Sequence, residues 1–185
     1  IAPPNMPDPR FRKTVVYIWR HDVSGAAGVV INKKCQQPDF KHICNEGTIH
    51  RLPKVNHPVY YGGPVLTNVV GVLHSTDYVL HSTNTLTEDK VGFTLDRQML
   101  EAIAKGQGPK NKLITLGMAN WTTGQLEEEL EHPRNPAMSW LIMDYDEKFV
   151  FGQLDDDKSD DLWERCVSQA IRRKTKEITS KVFKD

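Results

Sequence analysis

The sequence lacks most of the features that would identify a function directly. It has three cysteines in 185 residues, Cys35, Cys44 and Cys166. An odd count leaves one thiol over in any disulfide scheme, which argues against a disulfide-built secreted scaffold and predicts free thiols in a reducing, cytoplasmic setting. It has no net charge, because 24 basic residues cancel 24 acidic ones. No global field therefore draws it to nucleic acid or to an anionic bilayer. No apolar run has membrane-spanning length and no signal peptide is visible, so no membrane association is expected. The chain begins at Ile1, inside what reads as an apolar strand, and residues upstream of it are expected.

Catalytic and cofactor motifs are missing too. There is no G-x-S-x-G elbow, P-loop, H-E-x-x-H helix or G-x-G-x-x-G turn, and no cofactor is expected. Cys35, His42, Cys44, His50 and His57 fall within 23 positions, but their spacing fits no zinc signature, so no metal site is expected. The acidic run Asp155, Asp156, Asp157, Asp160 and Asp161 has neither the loop glycine nor the distal Glu of an EF-hand. It precedes a helix, where carboxylates favour the positive end.

What is present describes one globular domain. Hydrophobic residues make up 38% and charged residues 26%, enough for a real core. TVVYIWR at Thr14–Arg20 and the run Ala26–Asn32 predict an antiparallel hairpin about His21–Gly25. Asp39 is placed to cap a short helix through Glu46, with Gly47 ending it. Pro58–Tyr61 reads as a strand entering Gly62-Gly63-Pro64. VLHST then occurs twice, seven residues apart. Its composition predicts strands at Val69–Leu73 and Tyr78–Thr83, and an odd offset on strands keeps His74 and His81 from converging.

Further strands are expected at Lys90–Leu95 and Lys112–Leu116, with a helix at Asp96–Lys105 between them, stopped by Gly106. Thr122 and Gln125 form a capping box for a helix ended by Pro133. Ser139–Met143 and Lys148–Phe151 predict a late hairpin. Leu162, Trp163, Cys166, Val167, Ala170 and Ile171 recur at helical spacing, continued by Ile178 and Val182. Short strands mixed with helices, without regular βαβ alternation, indicate an α+β fold. The boundaries are a domain over residues 1–154 and a C-terminal helix, 155–185, packed on it or extending from it.

Three ordered blocks carry a family resemblance. MPDPRFRKTVVYIWRHDVSGAAGVVINK, VYYGGPV with VGVLHS, and LGMANWTTGQLEEEL resemble the corresponding blocks of the bacterial AlgH/YqgE family. Order and spacing agree from Ile1 to about Phe151, although Met118 and Asn120 depart from the family pattern. The resemblance implies a single α+β domain with a mixed, partly barrel-like sheet and flanking helices. It implies little chemistry, since members carry the label of transcriptional regulators without an agreed reaction.

Polar residues beside turns and strand ends in these blocks are the ligand- or partner-binding candidates: Asp8, Arg12, His21, Gly62, Gly63, His74 and Asn120. Arg12 is a fork for an anion or a partner of Asp8. Gly62-Gly63 permits a tight turn or presents N–H groups to a ligand. Glu127, Glu128 and Glu129 are adjacent on a helix and are expected mostly to face solvent. Trp121 and Leu126 are expected in the core. At least two blocks are expected to meet on one concave face, with Gly62-Gly63 as its floor and Arg12 or His74 at its rim.

The C-terminal basic cluster Arg172, Arg173 and Lys174 can contact phosphates, but alone it predicts only weak nucleic-acid binding. The expected function is a non-enzymatic regulatory or adaptor protein that binds a protein partner. The alternatives are a small hydrolase or transferase acting on an anionic substrate through Arg12, His21 and His74, and a DNA-binding regulator.

Overall fold

The computed structural model describes residues 1–46, 49, 52–86, 90–131, 138–152 and 159–182. Seven strands are β1 (Val16–Asp22), β2 (Gly25–Val30), β3 (Val59–Tyr61), β4 (Val65–Ser75), β5 (Asn84–Leu86), β6 (Val91–Thr94) and β7 (Lys112–Trp121). Five helices are α1 (Phe40–Glu46), α2 (Arg97–Lys105), α3 (Gln125–Leu130), α4 (Glu147–Val150) and α5 (Ser159–Val182). The strands form one mixed sheet in the order β1-β2-β7-β4-β6-β5, with β3 also on β7. The sheet curls until β1 lies near β5, and Trp19 of β1 stacks on Phe93 of β6 at 4.6 Å. This is the α+β class that the strand pattern implies, with the near closure that the resemblance implies.

β7 organises the sheet. β4 runs antiparallel along one side of it. Along the other side, β3 pairs in parallel with Ile114–Leu116 and β2 pairs antiparallel with Ala119–Trp121. The change of neighbour occurs at Gly117, whose φ is +78°. Gly62 sits at that junction, donating its N–H to the Leu116 carbonyl and accepting from the Val30 N–H, both at 2.8 Å. A Cβ on Gly62 would fall 2.1 Å from the Gly117 carbonyl oxygen, and one on Gly117 would fall 2.4 Å from that of Gly63. Gly63, with φ +149°, leaves only 2.3 Å beside the Met118 carbonyl. The glycines of the second and third blocks are therefore one close crossing of two backbones.

Alternation along the strands separates the core. Tyr60, Leu73, Phe93 and Leu113 face a cluster shared with Trp19, Val29 and Leu162, Trp163 and Cys166 of α5. Val59, Val72 and Ile114 face Met99, Leu100 and Ile103 of α2 and Phe40 of α1. Ala26, Ala119 and Trp121 face Leu126 of α3 and Trp140. Helix α2 forms as its sequence predicts. Asp96 accepts the Gln98 N–H, and Gly106 closes it in the left-handed conformation with bonds to Ile103 and Ala102. Asp39 caps α1 by accepting the His42 N–H. Cys35, Cys44 and Cys166 are free thiols, with Cys44 and Cys166 in different clusters.

Three expectations fail. The second VLHST copy is not a strand: residues 76–83 are loop, and pairing resumes only at β5. Side chains hold it as loop, since Thr83 Oγ1 accepts the Leu80 N–H within the segment and Asp77 accepts the N–H of Lys110 across from it. The late hairpin does not form either. Asp146 accepts the Lys148 N–H and caps α4, which buries Val150 by a helical turn instead of a strand. Ile171 stands off the apolar face of α5 at 52% exposure, where its surroundings are solvent and charged residues. The expected stops at Gly47 and Pro133, and the run 155–157, lie outside the described residues.

His74 and the repeat have a shared explanation. His74 is fully buried, its Nδ1–H donating to the Ser75 carbonyl at 2.9 Å. Its Nε2 accepts from the Thr94 hydroxyl at 2.8 Å, and Thr94 accepts from Thr83 at 2.8 Å. The histidine of the first copy is thus tied to the threonine of the second, while His81 stays exposed.

Two predictions follow from this packing. Gly63→Ala and Gly117→Ala each lose about 3 kcal/mol or more in urea unfolding, because left-handed strain adds to a backbone clash. Unchanged midpoints would contradict the crossing. Burial pushes the His74 imidazole below its usual range, and burial followed by Lys112 does the same at His57. The unfolded chain binds a proton at these sites near pH 6.5 that the folded chain refuses, so stability is full above that pH and declines as pH falls below it. Urea unfolding at stepped pH checks this; stability that is flat or rising on acidification through that window contradicts it.

Candidate functional site

A largely apolar hollow of 410 Å³ opens between β1, α3 and the stretch 140–146. That volume lies in the range of small-molecule and side-chain pockets. Val16 and Ile18 of β1 contribute its base, Trp121, Leu126 and Leu130 one wall, and Leu141–Tyr145 with Phe149 the other.

A β-bulge sets the base. Ile18 pairs with Gly28, but Arg20 pairs with Ala27, so Trp19 is an extra residue in β1. Before the bulge, Tyr17 packs on the barrel side and Val16 and Ile18 on the α3 side. Strict alternation would send His21 to the side of Tyr17 and Trp19. The extra residue resets the phase, and His21 joins Ile18 over α3. Gly28 makes room there, since a Cβ would come 2.7 Å from Val16 Cγ1 and 3.1 Å from Ile18 Cδ1.

At the rim, His21 Nε2 lies 2.5 Å from Glu127 Oε1, both side chains about half exposed (46% and 54%). The Glu127 carboxyl is held below the usual range by its own backbone N–H and then by His21. Deeper in, Glu129 fastens the two walls. Its Oε2 accepts from the indole N–H of Trp121 at 3.0 Å and of Trp140 at 2.8 Å, and its Oε1 accepts from Gln125 Nε2 at 2.9 Å. Gln125 also accepts the Thr122 N–H, but this return bond is all that forms of the expected capping box, because α3 starts one position after Gly124, which takes the N-cap place in the left-handed conformation with no side-chain bond. Trp121 and Trp140 meet edge-on at 5.9 Å, with Phe11 against Trp140 at 5.6 Å. On the opposite wall, burial, with Glu147 next, pushes the Tyr145 phenol up to about 12, and its ring meets Tyr17 edge-on. Of the three adjacent glutamates, Glu127 and Glu128 are exposed as expected, Glu127 reaching His21 from the surface, while 100° per residue turns Glu129 to the indoles.

The expected site residues do not assemble. Among them only His21 borders the hollow. Asp8 is held by Arg10 rather than Arg12, with bonds of 2.7–3.1 Å that keep its carboxyl below the usual range. Two residues' separation lets Arg10 wrap back on Asp8, while Arg12 is exposed and has no ion pair among the described residues. Gly62 and Gly63 are spent on the backbone crossing, and His74 is in the core. Gly63 lies against Met118 and His74 opposite Lys112, positions on β7 about 20 Å apart, so Gly62-Gly63 and His74 do not share a face; the first and third blocks do meet, with His21 beside Trp121, Leu126 and Leu130 at the hollow, but Gly62-Gly63 is not its floor. Asn120 is exposed on β7 opposite Ala27. Arg172, Arg173 and Lys174 are exposed on α5, where Arg173 pairs with Asp144. Among the described residues no three His, Cys, Asp or Glu side chains are grouped to hold a metal, and no helix is long and apolar enough to cross a membrane.

Sequence reasoning missed Ile142, Leu130 and Glu129. Glu129 had a usable signal, the i, i+4 pair with Gln125 beside Trp121. Ile142 had none, because SWLIM reads as a strand and is not one. Glu129→Ala should lose about 2–3 kcal/mol by orphaning two buried indole N–H groups, with Glu129→Gln losing less. Equal stability of wild type and Glu129→Ala in thermal and urea melts would refute the fastening role.

The comparisons with known proteins agree with this architecture. The family model described as DUF179, AlgH-like, matches residues 1–173. A UPF0301 protein of Bradyrhizobium is 36% identical over 168 residues, 86% of this chain and 76% of that protein. Another, from Cereibacter sphaeroides, is 39% identical over 158 residues, 85% of this chain and 82% of that one. The solution structure of the AlgH protein from Pseudomonas aeruginosa superposes with a TM-score of 0.67 at 35% identity, covering 82% of this chain and 77% of that one. A Corynebacterium diphtheriae crystal structure shares the fold alone, at 19% identity and a TM-score of 0.54 over 75% of each chain. A family match over nearly the whole length, relatives of this identity and a shared sheet together show that the chain belongs to the AlgH-like family.

Proposed function

We propose that this protein is a non-enzymatic regulatory or adaptor protein, and that the hollow between β1, α3 and residues 140–146 receives an apolar segment of a protein partner. The observation that carries this reading is an apolar hollow bordered by an exposed large side chain, Ile142, at 65% exposure. Val23, 94% exposed, stands at the β1–β2 tip, where its carbonyl accepts from Thr123 just ahead of α3. Apolar surface of this kind beside a polar rim favours protein association over solvent. The rim pair His21–Glu127 supplies polar groups that orient a bound segment.

The runner-up is hydrolysis, with His21 as a base oriented by Glu127. Against it, the lining residues among those described include no Ser, Thr or Cys nucleophile and no Arg or Lys for an anionic substrate. Arg12 and His74, the other members of that hypothesis, lie elsewhere.

The test is affinity capture from the native lysate with three proteins: wild type, Ile142→Arg, and Val79→Arg as an exposed apolar control outside the hollow. A stoichiometric partner retained by wild type and Val79→Arg, and reduced about tenfold or more by Ile142→Arg, supports the reading. Equal capture by all three overturns it, as does the absence of any specific partner.

A further inference from the structure

Phe149 belongs to two hollows. On one side it lines the apolar one, and on the other it lines an open groove of 760 Å³ along α5. The α5 wall presents Arg165, Gln169, Arg172 and Lys176, spaced by four, three and four residues. That spacing places them on one helical face over about 16 Å.

The carboxylate among the described lining residues is already engaged. Glu164 meets Lys13 at 3.5 Å, and Asp144, which lines the apolar hollow, meets Arg173 of this groove. Among the described residues Arg165, Arg172 and Lys176 have no carboxylate partner, and Arg165 instead lies 5.2 Å from the Phe149 ring centroid. The groove is thus cationic and shares Phe149 with the apolar hollow.

We infer that the α5 groove binds an acidic, extended stretch of a protein, adjoining the apolar segment held in the first hollow. The inference rests on the adaptor reading and names the partner's chemistry: an apolar anchor followed by Asp and Glu residues. Charge complementarity selects the acid. Arg172 and Lys176, about 6 Å apart along the helix, match carboxylates on alternate residues of an extended chain, which recur about every 6.6 Å, and Arg165 adds a third cation about 10 Å further along. A duplex is disfavoured, because its affinity comes from neutralising many phosphates and this chain has zero net charge.

Fluorescence anisotropy with synthetic peptides tests this. Each probe is about 14 residues long, enough at ~3.3 Å per residue to reach across both hollows. All carry the same apolar half, joined to an Asp/Glu half, a Lys/Arg half or a Gly/Ser half. The acidic probe should bind about tenfold or more tighter than the Gly/Ser probe, and Arg172→Glu with Lys176→Glu should abolish that advantage. The double variant should leave the Gly/Ser probe's affinity unchanged, and Ile142→Arg should weaken it.

The two readings fail separately. A Gly/Ser probe that binds, with no gain from acid or with a gain that survives charge reversal, overturns this inference and leaves the apolar hollow standing. An acidic probe that binds through Arg172 and Lys176 while the Gly/Ser probe does not bind upholds the groove and counts against the apolar hollow. Equal binding of the Lys/Arg probe overturns the charge argument. Single-stranded DNA that displaces the acidic probe more effectively than the unlabelled peptide does would reassign the groove to nucleic acid.

Discussion

Two backbones pass each other at Gly62-Gly63 and Gly117 with no room for a single Cβ, and the rest of the sheet depends on that passage. It is where β7 exchanges β3 for β2 as a neighbour, so it joins a parallel pair to an antiparallel hairpin within one sheet. The hollow lies downstream of this event. Only after the exchange does β7 bring Trp121 beside β2 and lead into the turn that starts α3. A spacer of one methyl group at the crossing would push apart the elements that carry the hollow's base and its first wall.

Much of this was legible in the sequence, and the physical reason is locality. The β1–β2 hairpin, the cap and stop of α2 and the return bond from Gln125 to Thr122 are set by residues a few positions apart. Features decided by competition were not legible. Tyr78–Thr83 has strand composition, yet Thr83 and Asp77 spend themselves on backbone N–H groups and hold it as loop. SWLIMDYDEKFVF alternates like a hairpin, yet Asp146 caps a helical turn.

The site was less legible than the fold. Polar residues in the family-like blocks invited a functional reading, but most of them serve construction: glycines for the crossing, His74 for a buried hydrogen-bond chain, Asp8 for a turn with Arg10. His21 is the exception, and its orientation depends on one extra residue in β1. Strand periodicity before and after Trp19 is regular on each side, so the phase change is invisible until the partner register is known. The hollow's remaining residues come from β1 and from two stretches beginning about a hundred positions later, at Trp121 and Trp140, and the apolar ones resemble ordinary core residues.

The double indole contact of Glu129 has a kinetic meaning. Because one carboxylate holds Trp121 on one wall and Trp140 on the other, the walls keep their spacing without an occupant. On the proposed reading, a segment arriving there would meet a shape that already exists, and little ordering entropy would be lost on contact. Encounter would then proceed without waiting for an opening step. Selectivity among occupants would be expressed in how long each one stays.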